Sequence, residues 1–303
     1  MKRIVRFYSL GFRLFLGLLF STALISQWGC TTVQPLMIAD DVQVTGPLHQ
    51  IPVRVTDRDM GGHLRIIPHI AFMQQRSING AADLNNGTDL TQYGIYDSTN
   101  NVRWNLPSYV AGLSLDYGLS KSVSLSVGGT YANVSGRESL EWDAGIALCF
   151  QDPNLGGRLE AGVQWQDINY RTLLDRFDEE YNWNTGANTV TYLYSIERYG
   201  KFQTGNFYCS FTLNSRFSGS PVNVFGRVGY GVTSVLSNEM LKLNEEGDIS
   251  TSIGFLNVTP GVCFNITRWN RLVLGCDFIS PVGMSSSSPR WLVVPVAQFA
   301  FTI

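Results

Sequence analysis

Charged residues are scarce in this 303-residue sequence, since Asp, Glu, Lys and Arg together make up only 15% of it. An ordinary soluble domain carries about 25%. Long apolar runs are absent as well, because no window holds the roughly 18 uninterrupted apolar residues that a membrane-spanning helix needs. The mean hydropathy is neutral, at +0.01. These shortages exclude a helical membrane protein, and an apolar content of 44% excludes a disordered chain.

A surplus of basic residues is also missing, because 22 Lys and Arg stand against 24 Asp and Glu. The sequence therefore lacks the electrostatic footprint of a protein that binds nucleic acid. It has only three histidines, and none of its five cysteines forms a C-x-x-C pair. No H-E-x-x-H motif, phosphate-binding loop or dinucleotide fingerprint is present, so we expect neither a metal site nor a cofactor.

The first 29 residues predict an export signal that is not part of the fold. A basic start is followed by an apolar core, Leu14–Ile25, which is too short to span a bilayer. The stretch 27–30 (QWGC) then resembles a bacterial lipoprotein signal, in which a small residue precedes the cysteine that becomes acylated. The resemblance implies lipidation at Cys30 and contact with lipoprotein-sorting machinery. The alternative is ordinary cleavage near residues 21–23, which leaves Cys30 as a free thiol.

From residue 62 onward, apolar and polar or small residues alternate. Residues 113–117 (LSLDY) and 123–127 (VSLSV) follow this pattern, and 118–122 between them has turn chemistry. A period of two places one set of residues on each face of a sheet. Ten such runs are predicted, at 62–73, 107–118, 122–134, 139–151, 157–168, 201–214, 222–235, 252–266, 271–281 and 290–303.

The connections between these runs alternate in length. Those after the even-numbered runs are short, whereas those after the odd-numbered runs include the long segments 74–106, 169–200 and 236–251. An even number of strands with short turns at one end and long loops at the other is typical of an outer-membrane β-barrel. The predicted fold class is therefore all-β, an antiparallel up-and-down transmembrane barrel of about ten strands over residues 62–303. The predicted location is the outer membrane of a Gram-negative bacterium.

Aromatic residues on the apolar face support a membrane barrel. Tyr109 and Tyr117 are eight residues apart in one run, and so are Trp142 and Phe150 in another. Eight residues of strand extend about 26 Å, which places one ring near each border of an apolar band about 25 Å tall. These four residues are predicted to form aromatic girdles in contact with outer-membrane lipid.

The last run has Phe299, Phe301 and Ile303 at alternate positions. Here the chain resembles an outer-membrane β-barrel protein, whose final strand usually ends in an aromatic residue with apolar residues at alternate positions. The resemblance implies that the barrel-insertion machinery reads this segment. The cysteines of the runs (Cys149, Cys209, Cys263 and Cys276) are predicted to be small apolar residues of the wall.

The polar face of the runs predicts the lining of the lumen. It contains five acids against three arginines and one histidine. Because unpaired charges are costly in a narrow interior, we expect these groups to pair. The pattern favours a structural polar core, with a narrow pore or binding cavity as the alternative. The predicted lumen network consists of Arg65, His69, Asp116, Glu141, Asp143, Arg158, Glu160, Arg227 and Asp277.

Residues 30–61 predict the lipidated N-terminus and a periplasmic tether, because prolines interrupt the segment and acids charge it. A plug inside the barrel is the alternative that the sequence leaves open. The loops 74–106 and 169–200 are predicted to be solvated outer loops, with contact to a glycan, a cation or a protein as the functional interpretation.

Two further hypotheses concern function. One is a lipid-anchored soluble β-sandwich in the periplasm that binds a ligand or partner. The other is an outer-membrane hydrolase that uses His69 with Ser114, although no G-x-S-x-G motif supports it. The favoured interpretation is a barrel without catalysis, in a structural, adhesive or narrow-pore role.

Overall fold

The computed structural model describes residues 31–46, 53–55, 61–73, 77–82, 100–134, 136–183, 185–216, 220–234, 252–267, 269–282 and 291–303. Cys30 and the predicted signal segment lie outside these residues. The described elements are strands: β1 Thr31–Thr45, β2 Leu64–Phe72, β3 Ser77–Ala82, β4 Asn100–Asn105, β5 Tyr109–Gly118, β6 Val123–Val134, β7 Arg137–Gln151, β8 Leu155–Asn182, β9 Ala187–Ser215, β10 Val222–Ser234, β11 Ser252–Asn265, β12 Asn270–Val282 and β13 Leu292–Thr302. In this part of the chain no helix is long and apolar enough to cross a membrane.

Ten of these strands form a closed antiparallel barrel. The hydrogen-bonded order is β8-β7-β6-β5-β2-β13-β12-β11-β10-β9, and a pairing of β8 with β9 closes the ring. The predicted fold class is thus confirmed, and each predicted run contains or overlaps a barrel strand. Closure leaves the ten-stranded ring itself without a free edge, although β1, β4 and β3 extend the sheet from β8. A closed ring also removes the soluble β-sandwich from the alternatives.

The two ends of the barrel differ in their connections. Segments 119–122, 152–154, 216–221 and 266–269 join strands at one end, which we call the turn end. The segments 73–108, 235–251 and 283–291 join strands at the opposite end, which we call the loop end. The start of β2 and the end of β13 meet at the turn end, where Ile303 N donates to Leu64 O over 2.8 Å.

Two predicted loops contain strands instead. The segment 169–200 was expected to be a loop, but β8 continues to Asn182 and β9 begins at Ala187, so one long hairpin replaces it. A hydroxyl-to-carboxylate bond of 2.6 Å from Ser195 to Asp175 joins its two strands. Within 74–106, β3 and β4 form an antiparallel pair. Between Asp175 and Ser195 none of the described residues is buried, so this part of the hairpin lacks the alternation of the barrel, whereas Val102 and Trp104 of β4 are buried.

The chain divides by internal packing into two units. One comprises the residues up to Ile38 together with Asp175–Ser195, and the other comprises Ala39–Leu174 and Ile196–Ile303. The second unit contains the barrel and the site described below. The first contains the tip of the β8–β9 hairpin, where Tyr181 and Trp183 pack edge to face with ring centroids 4.9 Å apart.

The apolar face of the barrel points outward. Leu113 is 49% exposed and Leu148 is 58% exposed, whereas Ser114 and Asp116 are fully buried. The predicted girdle residues Tyr109, Tyr117, Trp142 and Phe150 are all on this outer face, as is Phe301 near the C-terminus. A soluble barrel would bury these residues and expose the serine and aspartate. The outer face is therefore suited to hydrocarbon rather than water.

A charge placed in the middle of this face is expected to oppose membrane insertion. Ile146 is 52% exposed and lies midway between Trp142 and Phe150. We expect Ile146→Arg to lower the free energy of unfolding in lipid vesicles by about 2–4 kcal/mol, because arginine is costly at the bilayer midplane. Urea titration monitored by heat-modifiable gel migration measures this effect.

The matched control is Leu193→Arg, since Leu193 is also exposed but lies in the unit that contains the tip of the β8–β9 hairpin. Its unfolding midpoint should stay at the wild-type value. Equal losses in the two variants would contradict a lipid-facing surface at Ile146.

Candidate functional site

An arginine from outside the barrel strands lies at the centre of the lumen. Arg54 belongs to the short segment Val53–Val55, which we call the lumen segment, and its side chain is fully buried. Its guanidinium donates to Ser114 Oγ over 2.6 Å and to Asp143 Oδ2 over 2.9 Å. It also forms a salt bridge with Glu160. Part of the predicted tether therefore fills the barrel, and the tether interpretation does not hold for these three residues.

The salt bridges continue from Glu160 across the lumen. Arg158 Nε donates to Glu160 Oε2 over 2.8 Å. The two terminal nitrogens of Arg158 contact the Asp116 carboxylate at 2.9 and 3.1 Å. Asp116 in turn lies 3.7 Å from Arg65 Nη1. This bidentate geometry fixes the orientation of Arg158 as well as its charge.

Arg65 closes the chain of contacts onto the lumen segment. Its Nη1 donates to the backbone carbonyl of Val55 over 2.7 Å. The resulting central ion network contains three arginines and three carboxylates, so its formal charge is zero. Its members are Arg54, Arg65, Arg158, Asp116, Asp143 and Glu160.

The other side of the lumen segment is apolar. Val53 and Val55 are buried against Phe225, Cys263 and Val273, which belong to β10, β11 and β12. In extended chain, alternate side chains point in opposite directions. The segment therefore presents Arg54 to the charged wall formed by β5, β7 and β8, and its two valines to the apolar wall.

A barrel strand also binds the backbone of the lumen segment. In the amide orientation that satisfies both partners, the Gln298 side chain donates to Val53 O over 2.7 Å and accepts from Val53 N over 2.8 Å. An isolated extended segment has no sheet partner for its amide and carbonyl groups. Gln298 supplies both bonds, which reduces the cost of burying this backbone.

Two glycines make room for a tyrosine that supports the network. Tyr208 donates from its hydroxyl to Glu160 Oε1 over 3.2 Å. A Cβ atom on Gly145 would lie 2.5 Å from that hydroxyl oxygen, and one on Gly162 would lie 2.6 Å from it. Larger residues at either position would displace the ring. Close approach to Tyr208 therefore requires glycine at position 145, and close approach to Tyr208 and to the backbone oxygen of Ala144 requires it at position 162.

The remaining predicted lumen residues form no single cluster with the network. Arg227 contacts both oxygens of Asp277, at 3.2 and 3.1 Å, and forms a separate buried ion pair. His69 Nε2 lies 3.3 Å from Thr130 Oγ1. Glu141 is buried, and among the described residues its Oε2 has no hydrogen-bond partner. The described residues give Glu141 no ion pair, so the expectation that every lumen charge pairs is wrong at this position.

The geometry around His69 does not assemble a hydrolytic triad. The Ser114 hydroxyl accepts from Arg54 and donates to Val127 O over 3.3 Å, so it is engaged away from His69. The second ring nitrogen, Nδ1, lies 3.4 Å from the backbone oxygen of Ile67 and not beside a carboxylate. A nucleophile, a base and an orienting acid within mutual hydrogen-bond reach are what such chemistry requires.

Sequence reasoning missed Arg54, although the composition of the lumen face contained a signal for it. Five acids against three arginines imply that carboxylates lack cationic partners on the strands themselves. A further cation must then come from elsewhere in the chain. Arg54 satisfies this need for Asp143 and Glu160. Tyr208 and Gln298 were also missed, because neither stands out in an alternating run.

Comparison with known proteins finds likeness in structure alone. No family model matches the chain, and no curated protein matches it. The N-terminal β-barrel domain of Pseudomonas aeruginosa OprF is similar at 8% identity and a TM-score of 0.30, covering 80% of this chain and 98% of that one. The COG4313 outer membrane channel from Pseudomonas putida F1 is similar at 8% identity and a TM-score of 0.39, covering 84% and 100%. LpxR from Salmonella typhimurium is similar at 10% identity and a TM-score of 0.32, covering 78% and 99%.

Removal of the central cation is expected to destabilise the barrel. Arg54→Met leaves the buried Asp143 without its salt-bridge partner and Glu160 with Arg158 alone, which should lower the free energy of unfolding by about 3–5 kcal/mol. The additional change Asp143→Asn should restore part of this loss, since the network then contains two arginines and two carboxylates. Urea unfolding in lipid vesicles measures both effects.

The control is Arg171→Met. Arg171 lies on β8, and its partially exposed side chain forms a salt bridge with Glu197 of β9. The hydrogen bond from Arg171 holds the pKa of the Glu197 carboxyl below its usual value, but solvent screens such a pair. Its unfolding midpoint should match the wild type. An Arg54→Met protein as stable as this control would show that the network does not hold the lumen segment.

Proposed function

We propose that this protein is a closed outer-membrane β-barrel whose lumen is filled by its own N-terminal segment. The observation that supports this function most directly is the position of Arg54, which joins Asp143 and Glu160 across the interior. An outward apolar face and a closed ring of ten strands suit the protein to a bilayer. The proposed role is structural: a stable barrel that anchors segments outside the membrane, without catalysis.

A filled lumen favours this role over that of a pore. Barrels of eight strands are filled by side chains, and open aqueous channels need sixteen to eighteen. Here ten strands surround a lumen segment that contacts both the charged and the apolar wall. An ion that crossed the barrel would have to displace Arg54 from two carboxylates.

Anchoring by the barrel itself predicts how the protein behaves without a lipid. We expect the Cys30→Ala chain to stay in the membrane fraction after a carbonate wash and to keep its heat-modifiable gel migration, because the outer face is inserted in lipid. Fractionation followed by unheated gels measures this. Release of the Cys30→Ala chain into the soluble fraction would contradict the proposed barrel, whereas loss of an acyl group alone would not release it.

Planar-bilayer recording tests the closed lumen. The purified wild-type protein is expected to show no conductance steps above background, since the ion network spans the interior. Arg54→Met should produce measurable steps by loosening the lumen segment, while Arg171→Met, which leaves the lumen intact, should stay silent. Steady ohmic conductance of the wild type would overturn the closed barrel in favour of a narrow pore.

A second proposed role is contact with another molecule through the β8–β9 hairpin. Its exposed aromatic residues include Trp183, Tyr192 and Tyr194, beside acids such as Asp175 and Glu179. Exposed aromatic and acidic side chains suit contact with a glycan, a cation or a protein. Some of these groups already contact one another, as in the 3.1 Å bond from Arg176 to Tyr194. Contact of the hairpin with a glycan, a cation or a protein is a prediction that binding experiments can test.

A further inference from the structure

The order in which the N-terminal chain meets the barrel defines a path through it. Residues Asp41–Thr45 of β1 pair with Asn101–Asn105 of β4, and Gly46 N donates to Asn105 O over 3.3 Å. Trp104 Nε1 also donates to Gly46 O, over 3.0 Å. Since β4 lies in the connection between β2 and β5 at the loop end, Gly46 lies at that end as well.

The direction of β1 points into the barrel. The pairing of β1 with β4 is parallel, and β4 leads toward Tyr109, the first residue of a barrel strand. The chain at Asp41–Thr45 therefore runs from outside the loop end toward the lumen. Gln43 and Thr45 also line a cavity of about 450 Å³ together with Asn133 and Arg137. These two residues flank the β6–β7 connection at the loop end.

The same chain is next described in the middle of the lumen, at Val53–Val55. There Arg54 contacts Asp143 and Glu160, while the valines pack on the opposite wall. Residues on both sides of the lumen segment therefore surround it, and it cannot lie on the outer surface of the barrel.

The chain then reaches the turn end. Gly61 forms a bridge with Gly118, and Gly62 N donates to Gly118 O over 2.7 Å. Gly62 has a φ of +79°, a left-handed conformation that favours glycine where the chain turns to enter β2. Three described points, Gly46, Arg54 and Gly61, thus lie in sequence order from the loop end to the turn end.

We propose that the N-terminal segment is threaded through the closed barrel, which it enters at the loop end after Asp41 and leaves at the turn end before Gly61. This inference rests on the proposed outer-membrane function, in which short turns face the periplasm and long loops face the outside. The mature N-terminus is then displayed at the cell surface. If Cys30 is the acylated residue, its lipid lies on the outer side of the membrane, opposite to the side that a periplasmic tether implies.

Epitope tags in the full chain test the direction of threading. One tag is inserted between Thr32 and Val33, a second in the β8–β9 turn at residues 184–185, and a third in the turn between Ser120 and Lys121. Antibody is applied to intact cells and again after the outer membrane is permeabilised. Heat-modifiable migration of each tagged chain confirms that its barrel has formed.

Threading predicts that the N-terminal tag is labelled on intact cells to the same extent as the β8–β9 tag. The tag between Ser120 and Lys121 should be labelled only after permeabilisation. An N-terminal tag that behaves like the 120–121 tag, while the β8–β9 tag is labelled on intact cells, would overturn the threading and leave the barrel proposal standing. Identical labelling of the β8–β9 tag and the 120–121 tag would instead overturn the proposed outer-membrane function. Display of the N-terminus at the cell surface would then be overturned as well.

Discussion

Neutralisation of charge inside a narrow ring is the constraint on which the lumen of this protein depends. Carboxylates removed from water need partners, and a single unpartnered buried ion destabilises a fold by several kcal/mol. Arg54 provides that partner for Asp143 and Glu160, and it does so from a segment that is not part of the wall. The barrel and its lumen segment consequently depend on each other, because their separation leaves Arg54 and Asp143 without their buried salt bridge.

The barrel could be predicted from the sequence because apolar and polar residues alternate within each strand and so identify its two faces. In β5 the exposed Leu113 and the buried Ser114 are adjacent, so alternation alone assigns them to opposite sides. The lumen segment is too short to show such an alternation. The contact of Arg54 with Glu160 joins residues that are 106 positions apart, and only the closed ring brings them together. The hairpin in the predicted 169–200 loop was missed for a related reason, since beyond Leu174 its described strand residues pair without a buried face.

Glu141 shows where the rule of paired charges fails. It lies on the same face of β7 as Asp143, which forms a salt bridge with Arg54. Its own Oε2 accepts no hydrogen bond from the part of the chain that the structure describes. The neighbouring Gln164 and Gln166 on β8 are also fully buried. The polar lining of this lumen is thus uneven, with the central ion network beside a group of amides and one acid. Local sequence cannot distinguish these two regions, because both read as polar residues at alternate positions.

A strand ring that encloses its own chain also restricts the order of assembly. The first and last strands of the barrel, β2 and β13, are hydrogen-bonded to each other, and we call this pairing the seam of the barrel. Once that seam is joined, Arg54 can reach Asp143 only if a free end is drawn through the whole interior. The simpler route is for the lumen segment to dock against the open sheet, with the seam joining around it afterwards. The closed barrel then holds the lumen segment inside it, and the segment can leave only if the strand pairing of the ring opens.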